Sequence, residues 1–395
     1  MQKNIYWNLN KNSAKEIALK KILFLLIFIP VLAFADPLHS LTWGFSIDLP
    51  VGYEFIEGDG RDRFSFSGPA GLMFDLVIYN GHYDSIEELV SDVNRRISNR
   101  GEADFFLHRG RQAAIIELRF GNLSGWGLAI ELDEIGADQS QGTPPMLLAL
   151  AYGPAERTDL EVFHISALDS IAVTAADRRL PGPITEYVFP RGEPRIVPLA
   201  ISGLSAVIHE NDAEAAQYLI EREFLVYIAY IDTQFIQEAA IRYYRFIYRD
   251  SFARIADAVA VIANDFEWRP DFTDEEKRAF AQKALAFVQG FEYERDLSGS
   301  DFVNLVSAIT EGRGDCDSRA MLFAMILSKA NIRSAIMLSH FHSHAMGLAD
   351  IAGAGARFES HGTRWLVAET TADVDIGLIE QAQSDPRHWF AVTFE

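Results

Sequence analysis

The spacing of hydrophobic and polar positions changes character three times along this 395-residue chain. Ile22 to Phe34 is an almost unbroken apolar run. From about Leu41 to Thr174 the dominant period is two, the signature of strands with one buried face. Trp43 to Pro50 alternates and then turns. Arg63–Ser67 and Leu72–Tyr79 flank Gly68-Pro-Ala-Gly71, a hairpin pattern. Further strands are predicted over Ala113–Phe120, Gly125–Leu132 and Met146–Tyr152. Two helices interrupt them. Ser85 with Glu88 makes a capping box ahead of Ile86, Leu89, Val90, Val93 and Ile97, which share a face, and a second helix runs from about Leu160 to Ile171. Strands with two such helices predict an antiparallel sheet covered by helices.

Prolines 181, 183, 190, 194 and 198 and many charges mark residues 177–200 as a linker. Beyond it the period becomes 3.6. Helices are expected over Asp212–Tyr230 and Thr233–Tyr248, with Asp250 or Ser251 capping another over Phe252–Phe266. Phe224–Tyr248 is rich in apolar residues, but Asp232, Glu238, Arg242 and Arg245 interrupt it, which fits a core helix and not a membrane span. Thr273-Asp-Glu-Glu276 is another capping box, opening a helix to about Gln289. The organisation expected is an α+β sandwich over 36–176, the linker, and a helical segment running into a last α+β domain over 201–395.

Lys20 and Lys21 before the run from Ile22, and Ala33-Phe34-Ala35 after it, read as a secretory signal peptide over residues 1–35. The run is shorter than the roughly 20 residues that cross a bilayer. The chain is therefore expected to be exported, periplasmic or secreted, with no membrane span after signal removal.

Apolar residues make up 49% of the chain and charged ones 23%, an ordinary globular balance. Lys and Arg total 35 against 56 for Asp and Glu, a formal charge of −21. Removing residues 1–35, with five lysines and one glutamate, takes it to about −25. Such a chain repels nucleic acid and anionic lipid. Its single cysteine, Cys316, excludes internal disulfides and thiolate-rich zinc sites.

That cysteine carries the chemistry. Gly312 and Gly314 form a tight turn before it, and Ala320 to Leu327 is apolar on every side, so Cys316 is expected at the N-terminus of a buried helix. There the free N–H groups favour a thiolate and could hold an oxyanion, while Asp315 and Asp317 oppose the thiolate. Downstream, Ile332–Ser339, Ala345–Asp350 and Arg364–Thr371 read as strands around His340-Phe-His-Ser-His344. A helix-start cysteine, a strand histidine and a carboxylate on the next strand are the groups that thiol acyl transfer requires.

Gly314-Asp-Cys-Asp-Ser-Arg-Ala, Ser343-His-Ala-Met-Gly and Trp365-Leu-Val-Ala-Glu-Thr-Thr resemble, in that order, the motifs of the transglutaminase-like (papain-like) cysteine peptidase superfamily, over about residues 275–380. The resemblance implies a Cys-bearing helix packed on an antiparallel sheet, with Cys316 as nucleophile, His344 as general base and acid, and Glu369 as orienting carboxylate. It further implies acyl transfer through a thioester on a protein or peptide substrate, by hydrolysis or by cross-linking, with no cofactor. Two departures from the pattern are Glu369 where aspartate is usual, and His344-Ala-Met346 where His-x-Trp is common. The order of elements in the N-terminal half resembles the PsbP/Mog1-like sandwich in shape.

Other readings stay open on the residues themselves. His340, His342 and His344 would share a face of a strand and could bind a metal with Asp350 or Glu369. Asp350 is a second candidate for the acid. Tyr293 and Trp365 are candidate cleft residues, with core packing expected for both. A non-catalytic binding or assembly protein could use the same scaffold.

Overall fold

The structure, a computed structural model, describes residues 37–133, 143–295 and 299–394. The expected signal segment, 1–35, lies outside them. The period-two region folds into seven antiparallel strands: β1 Glu54–Gly58, β2 Arg63–Ser67, β3 Met73–Tyr79, β4 Ala103–His108, β5 Arg111–Phe120, β6 Leu123–Glu131 and β7 Met146–Pro154. Their order across the sheet is β1-β2-β3-β7-β6-β5-β4. The β2–β3 hairpin forms as the glycines require, with the Gly68 N–H donating to Leu72 O at 2.7 Å. Of the alternating stretch from Trp43, only Ser46–Ile47 pairs, with Leu38–His39. Trp43, Phe45 and Ile47 are nonetheless buried on the sheet.

Helix α1, Ile86–Ile97, covers one face through Ile86, Leu89, Val90 and Val93. The Ser85 hydroxyl accepts the Glu88 N–H, but the Glu88 carboxylate takes the N–H of Asp84 rather than that of Ser85. Helices α2, Glu161–Asp169, and α3, Pro183–Val188, cover the other face, where Ala167, Leu168 and Ile184 join its core.

The stretch expected as a linker is folded. It holds α3, opened by Pro183 and anchored by Asp169, whose carboxylate accepts the Ile184 and Thr185 N–H groups at 2.8 and 2.9 Å. It also holds strand β8, Pro194–Pro198, paired with β9, Ser205–His209.

Six helices follow: α4 Asp212–Ile228, α5 Ile236–Arg254, α6 Ala256–Asp265, α7 Asp274–Gln289, α8 Leu305–Glu311 and α9 Cys316–Lys329. Asp250 does not cap. It lies inside α5, buried, where Arg254 one turn on takes its carboxylate through two hydrogen bonds of 2.7 and 2.8 Å. That pairing lets the helix run through the position where a free aspartate would end it. Buried arginines tie α5 and α4 to each other, to α2 and to the segment around Asp48. Arg242 donates to Glu223 at 2.8 Å and to the Asp48 carbonyl at 2.8 Å, and Arg222 bridges Glu223 and Asp169. Among the described residues no helix is long and apolar enough to cross a membrane.

The last sheet has five antiparallel strands: β10 Ser334–Ser339, β11 His344–Ala349, β12 Arg357–Ser360, β13 Thr363–Ala368 and β14 Phe390–Thr393, in the order β12-β13-β11-β10-β14. Helix α9, whose Met321 to Leu327 are buried all round, lies on the face formed by Ile336, Ala345 and Ala349. A Cβ at Gly347 would meet the Phe323 ring at 2.4 Å, so glycine there lets helix and sheet close. Trp365 belongs to the core of the opposite face, with Met346, Leu348 and Trp389.

Candidate active site

Cys316 is the first residue of α9, 7% exposed. The turn ahead of it is built by Gly312, which ends α8 in the left-handed region at φ +72°, and by Gly314, which pairs with Tyr293. Asp315 is the N-cap, its carboxylate accepting the Ser318 N–H at 2.7 Å. The N–H groups of Cys316 and Asp317 have no partner inside the helix, by the geometry of a helix start. The backbone N–H groups of Ala345 and of Cys316 itself lie where they favour the ionised thiol, against the larger effects described below.

His344 opens β11, paired across the hairpin with Ser339. Its Nε2 lies 2.9 Å from Glu369 Oε2. Glu369 follows the last residue of β13, and its other oxygen accepts the Thr371 N–H at 2.8 Å and the Thr371 hydroxyl at 2.6 Å. Burial pushes the Glu369 carboxyl up, but the hydrogen bonds from His344 and Thr371 outweigh it and hold the group below its ordinary value. A charged carboxylate only accepts, so Nε2 carries the proton and Nδ1 is left as the basic nitrogen of the ring. His344 and Glu369 are thus directly joined. Cys316 heads the helix that packs on β11, and no hydrogen bond between its sulfur and the His344 ring is among the described contacts.

The electrostatics around the thiol are adverse. Burial first, then the charges of Asp317 and Asp315, push the Cys316 thiol well above its ordinary range. Asp317 is itself raised to about 6, mainly by burial, although a hydrogen bond from Tyr244 and the charge of His344 pull the other way. Asp315 is pushed well up by burial and by Asp317.

Several groups had no part in the expected site. Arg319, one turn beyond Cys316, is buried and donates to three carbonyls: Gly314 at 3.0 Å, Phe291 at 2.7 Å and Thr370 at 3.5 Å. It ties the cysteine turn to the segment after Glu369. An arginine inside an otherwise apolar helix was the available signal. Gln289 Nε2 braces the same segment through the carbonyls of Glu369, Ala372 and Val374. Trp389 packs edge-on to His344 with ring centroids 6.3 Å apart, and it stacks on His342 at 5.5 Å. Nothing in the local pattern at residue 389 linked it to a histidine 45 positions earlier.

Tyr293, expected in the core, is 53% exposed, and Arg319 lies 5.4 Å from its ring centroid. Its hydroxyl is raised to about 12, by burial first and then by the charge of Cys316. Asp350 sits at the far end of β11 and pairs with Arg333 at 3.3 Å, away from the histidine. The three histidines do not share a strand face. Residues 340–343 form the turn between β10 and β11, with Ser343 at φ +48° and the Ser339 hydroxyl accepting the His342 N–H at 3.0 Å. His340 goes instead to the Tyr227 hydroxyl at 3.2 Å. Among the described residues no three His, Cys, Asp or Glu side chains converge as a metal site would need.

Comparison with known proteins adds little. No family model matches the chain, and no curated protein matches it. A solved structure described as a "putative protease", from Parabacteroides distasonis, is similar over 82% of this chain and 70% of its own, at 8% identity and a TM-score of 0.20. A likeness at that score bears neither on fold nor on activity. The chain is a mixed α and β protein with several antiparallel sheets. Its last sheet carries a hydrogen-bonded histidine–glutamate pair beside the start of a buried, cysteine-led helix.

Proposed function

We propose that this chain is a transglutaminase-like cysteine enzyme that transfers acyl groups through a thioester on Cys316, acting on protein or peptide substrates and most often delivering the acyl group to water. The observation that carries the reading is the His344–Glu369 pair at 2.9 Å, with His344 opening the strand against which the cysteine-led helix packs. With Nε2 held by Glu369, His344 Nδ1 accepts the thiol proton as Sγ attacks the carbonyl carbon. The S–C bond forms, and the N–H groups of Ala345 and of the first turn of α9 receive the developing oxyanion. The C–N bond then breaks, and the same Nδ1 returns its proton to the leaving amine. Water, deprotonated by His344, cleaves the thioester and restores the thiol. A lysine amine in place of water gives a cross-link. The lysine pair and apolar run before Ala35 support export, to the periplasm or beyond.

A second reading, a non-catalytic scaffold for binding or assembly, draws on the thiol being pushed up by burial and by two flanking carboxyls. In the enzyme, the His344 ring must turn toward the sulfur when substrate binds, a tightening common in unliganded sites. A panel of peptidyl chloromethyl ketones and activated acyl probes, read by intact mass and peptide mapping, separates the two. Modification of Cys316 that is lost in His344→Ala supports the enzyme. Modification equal in both proteins, or none across the panel, supports the scaffold.

A further inference from the structure

A cavity of about 850 Å³ lies away from Cys316, where the Leu38–His39 and Ser46–Ile47 pair, the turn Ala176–Arg179, α5 and the end of β14 meet. In a chain of formal charge −21 its wall has the opposite sign, with Arg178, Arg179, Arg245 and Arg249 set against Asp48 alone. Arg245 is spoken for, pairing with Asp48 at 2.8 Å. Arg249 spends its donors on backbone carbonyls, those of Leu180 at 2.9 Å, Asp169 at 3.2 Å, Ser170 at 2.7 Å and Ile171 at 3.0 Å, and among the described residues no carboxylate pairs with it. Burial pulls its pKa below the ordinary value, although the charges of Asp169, Asp48 and Asp177 oppose the shift. Arg178 and Arg179 are exposed at the rim and, among the described residues, have no carboxylate partner either.

Beside these guanidinium groups the wall turns apolar. Tyr248 and Phe394 stack at 4.0 Å with ring planes 4° apart, and both, with Arg179, also line an adjoining cavity of about 270 Å³. A flat aromatic ledge next to two exposed arginines without carboxylate partners among the described residues suits a carbon skeleton that carries more than one acidic group.

We propose that this cavity is a binding site for a small organic polyanion, its carboxylate or phosphate groups held by Arg178 and Arg179 and its body seated by Tyr248 and Phe394. The arginines offer paired donors to either acid, so carboxylate and phosphate ligands share the chemistry. Titration calorimetry of the purified protein with citrate and with pyrophosphate, in buffer matched for ionic strength with sodium chloride, distinguishes the two. At least one should bind at one per chain in the micromolar to low millimolar range, roughly. In an Arg178→Ala/Arg179→Ala protein that binding should weaken about tenfold or more. Both side chains are exposed and the one packing contact removed is that of Arg179 over the Phe252 ring at 5.0 Å, so the unliganded melting temperature should move little, which checks that the fold survives. Failure of both anions to bind at roughly 10 mM, or binding in the double variant within tenfold of the parent, would overturn the proposal.

Discussion

His344 Nε2 and Glu369 Oε2 lie 2.9 Å apart, and the remaining carboxylate oxygen of Glu369 is held by both donors of Thr371. The glutamate therefore cannot rotate away, and it fixes which ring nitrogen is protonated. Glu369→Gln keeps the shape but can present an amide N–H to Nε2 and favour the wrong tautomer. If His344 is the general base, acylation of Cys316 by the best probe should slow by about a hundredfold or more. Thr371→Val removes only the hydroxyl donor and should cost about tenfold, by loosening the carboxylate. Rates of thioester formation, followed by mass, give both numbers.

The same pair makes stability depend on pH. The folded-state pKa of Glu369 lies below the ordinary 4.5, so its contribution is present above that value and is lost as pH falls through the folded pKa. The difference in melting temperature between parent and Glu369→Gln should be largest near neutrality and should shrink below about pH 4.5. A difference that stayed constant from pH 7 to pH 3 would show that the carboxylate is not held charged.

Asp317 has the opposite sign. Its carboxyl is raised from 3.8 to about 6, so its ionisation opposes folding, and the stability present below pH 3.8 is lost as pH rises through about 6. Asp317→Asn should therefore raise the melting temperature at pH 8, by an amount worth about 1–3 kcal/mol, and change it little at pH 4. The substitution also removes the larger of the two charges that push the Cys316 thiol up. Iodoacetamide labelling at pH 8 should accelerate by about three- to tenfold. Unchanged labelling together with unchanged stability would mean that Asp317 does not ionise against the thiol.

Local rules carried far where a segment's own residues decide its shape. Thr273 and Glu276 cap α7 reciprocally, and the helix ends at Gln289 as its periodicity indicates. The hairpin around Gly68–Gly71 and the cysteine at the head of a buried helix follow from glycine placement and apolar runs. Partners distant in sequence were not legible. Asp250 reads as a cap until Arg254 is seen to neutralise it inside the helix. The alternating histidines read as a strand, but Ser339 and Ser343 bend them into a turn that sends His340 to Tyr227 while His342 and His344 both meet Trp389. β12 and β14 were not foreseen, and with β14 goes Trp389, which reaches His344 only because its strand adds to the edge of β10. For the candidate site, the positions of Cys316, His344 and Glu369 could be proposed from motif order. The bracing by Thr371, Gln289 and Arg319 is long-range or backbone-directed and leaves no spacing to read.

Arg319 offers the sharpest separation of positioning from stability. Its guanidinium spans the Gly314, Phe291 and Thr370 carbonyls, so one rigid fork fixes both the turn that presents Cys316 and the segment that presents Glu369. Lysine keeps the charge and most of the stem but has a single nitrogen, and it cannot reach three carbonyls in different directions. Arg319→Lys should destabilise the fold by about 1–3 kcal/mol, the cost of buried carbonyls left without donors. Cys316 acylation should fall further than that loss predicts, by about tenfold or more at a temperature where the variant is fully folded. Circular dichroism melts and acylation rates on the same samples test the pair of effects. A rate that falls only in proportion to the unfolded fraction would reduce Arg319 to a purely structural role.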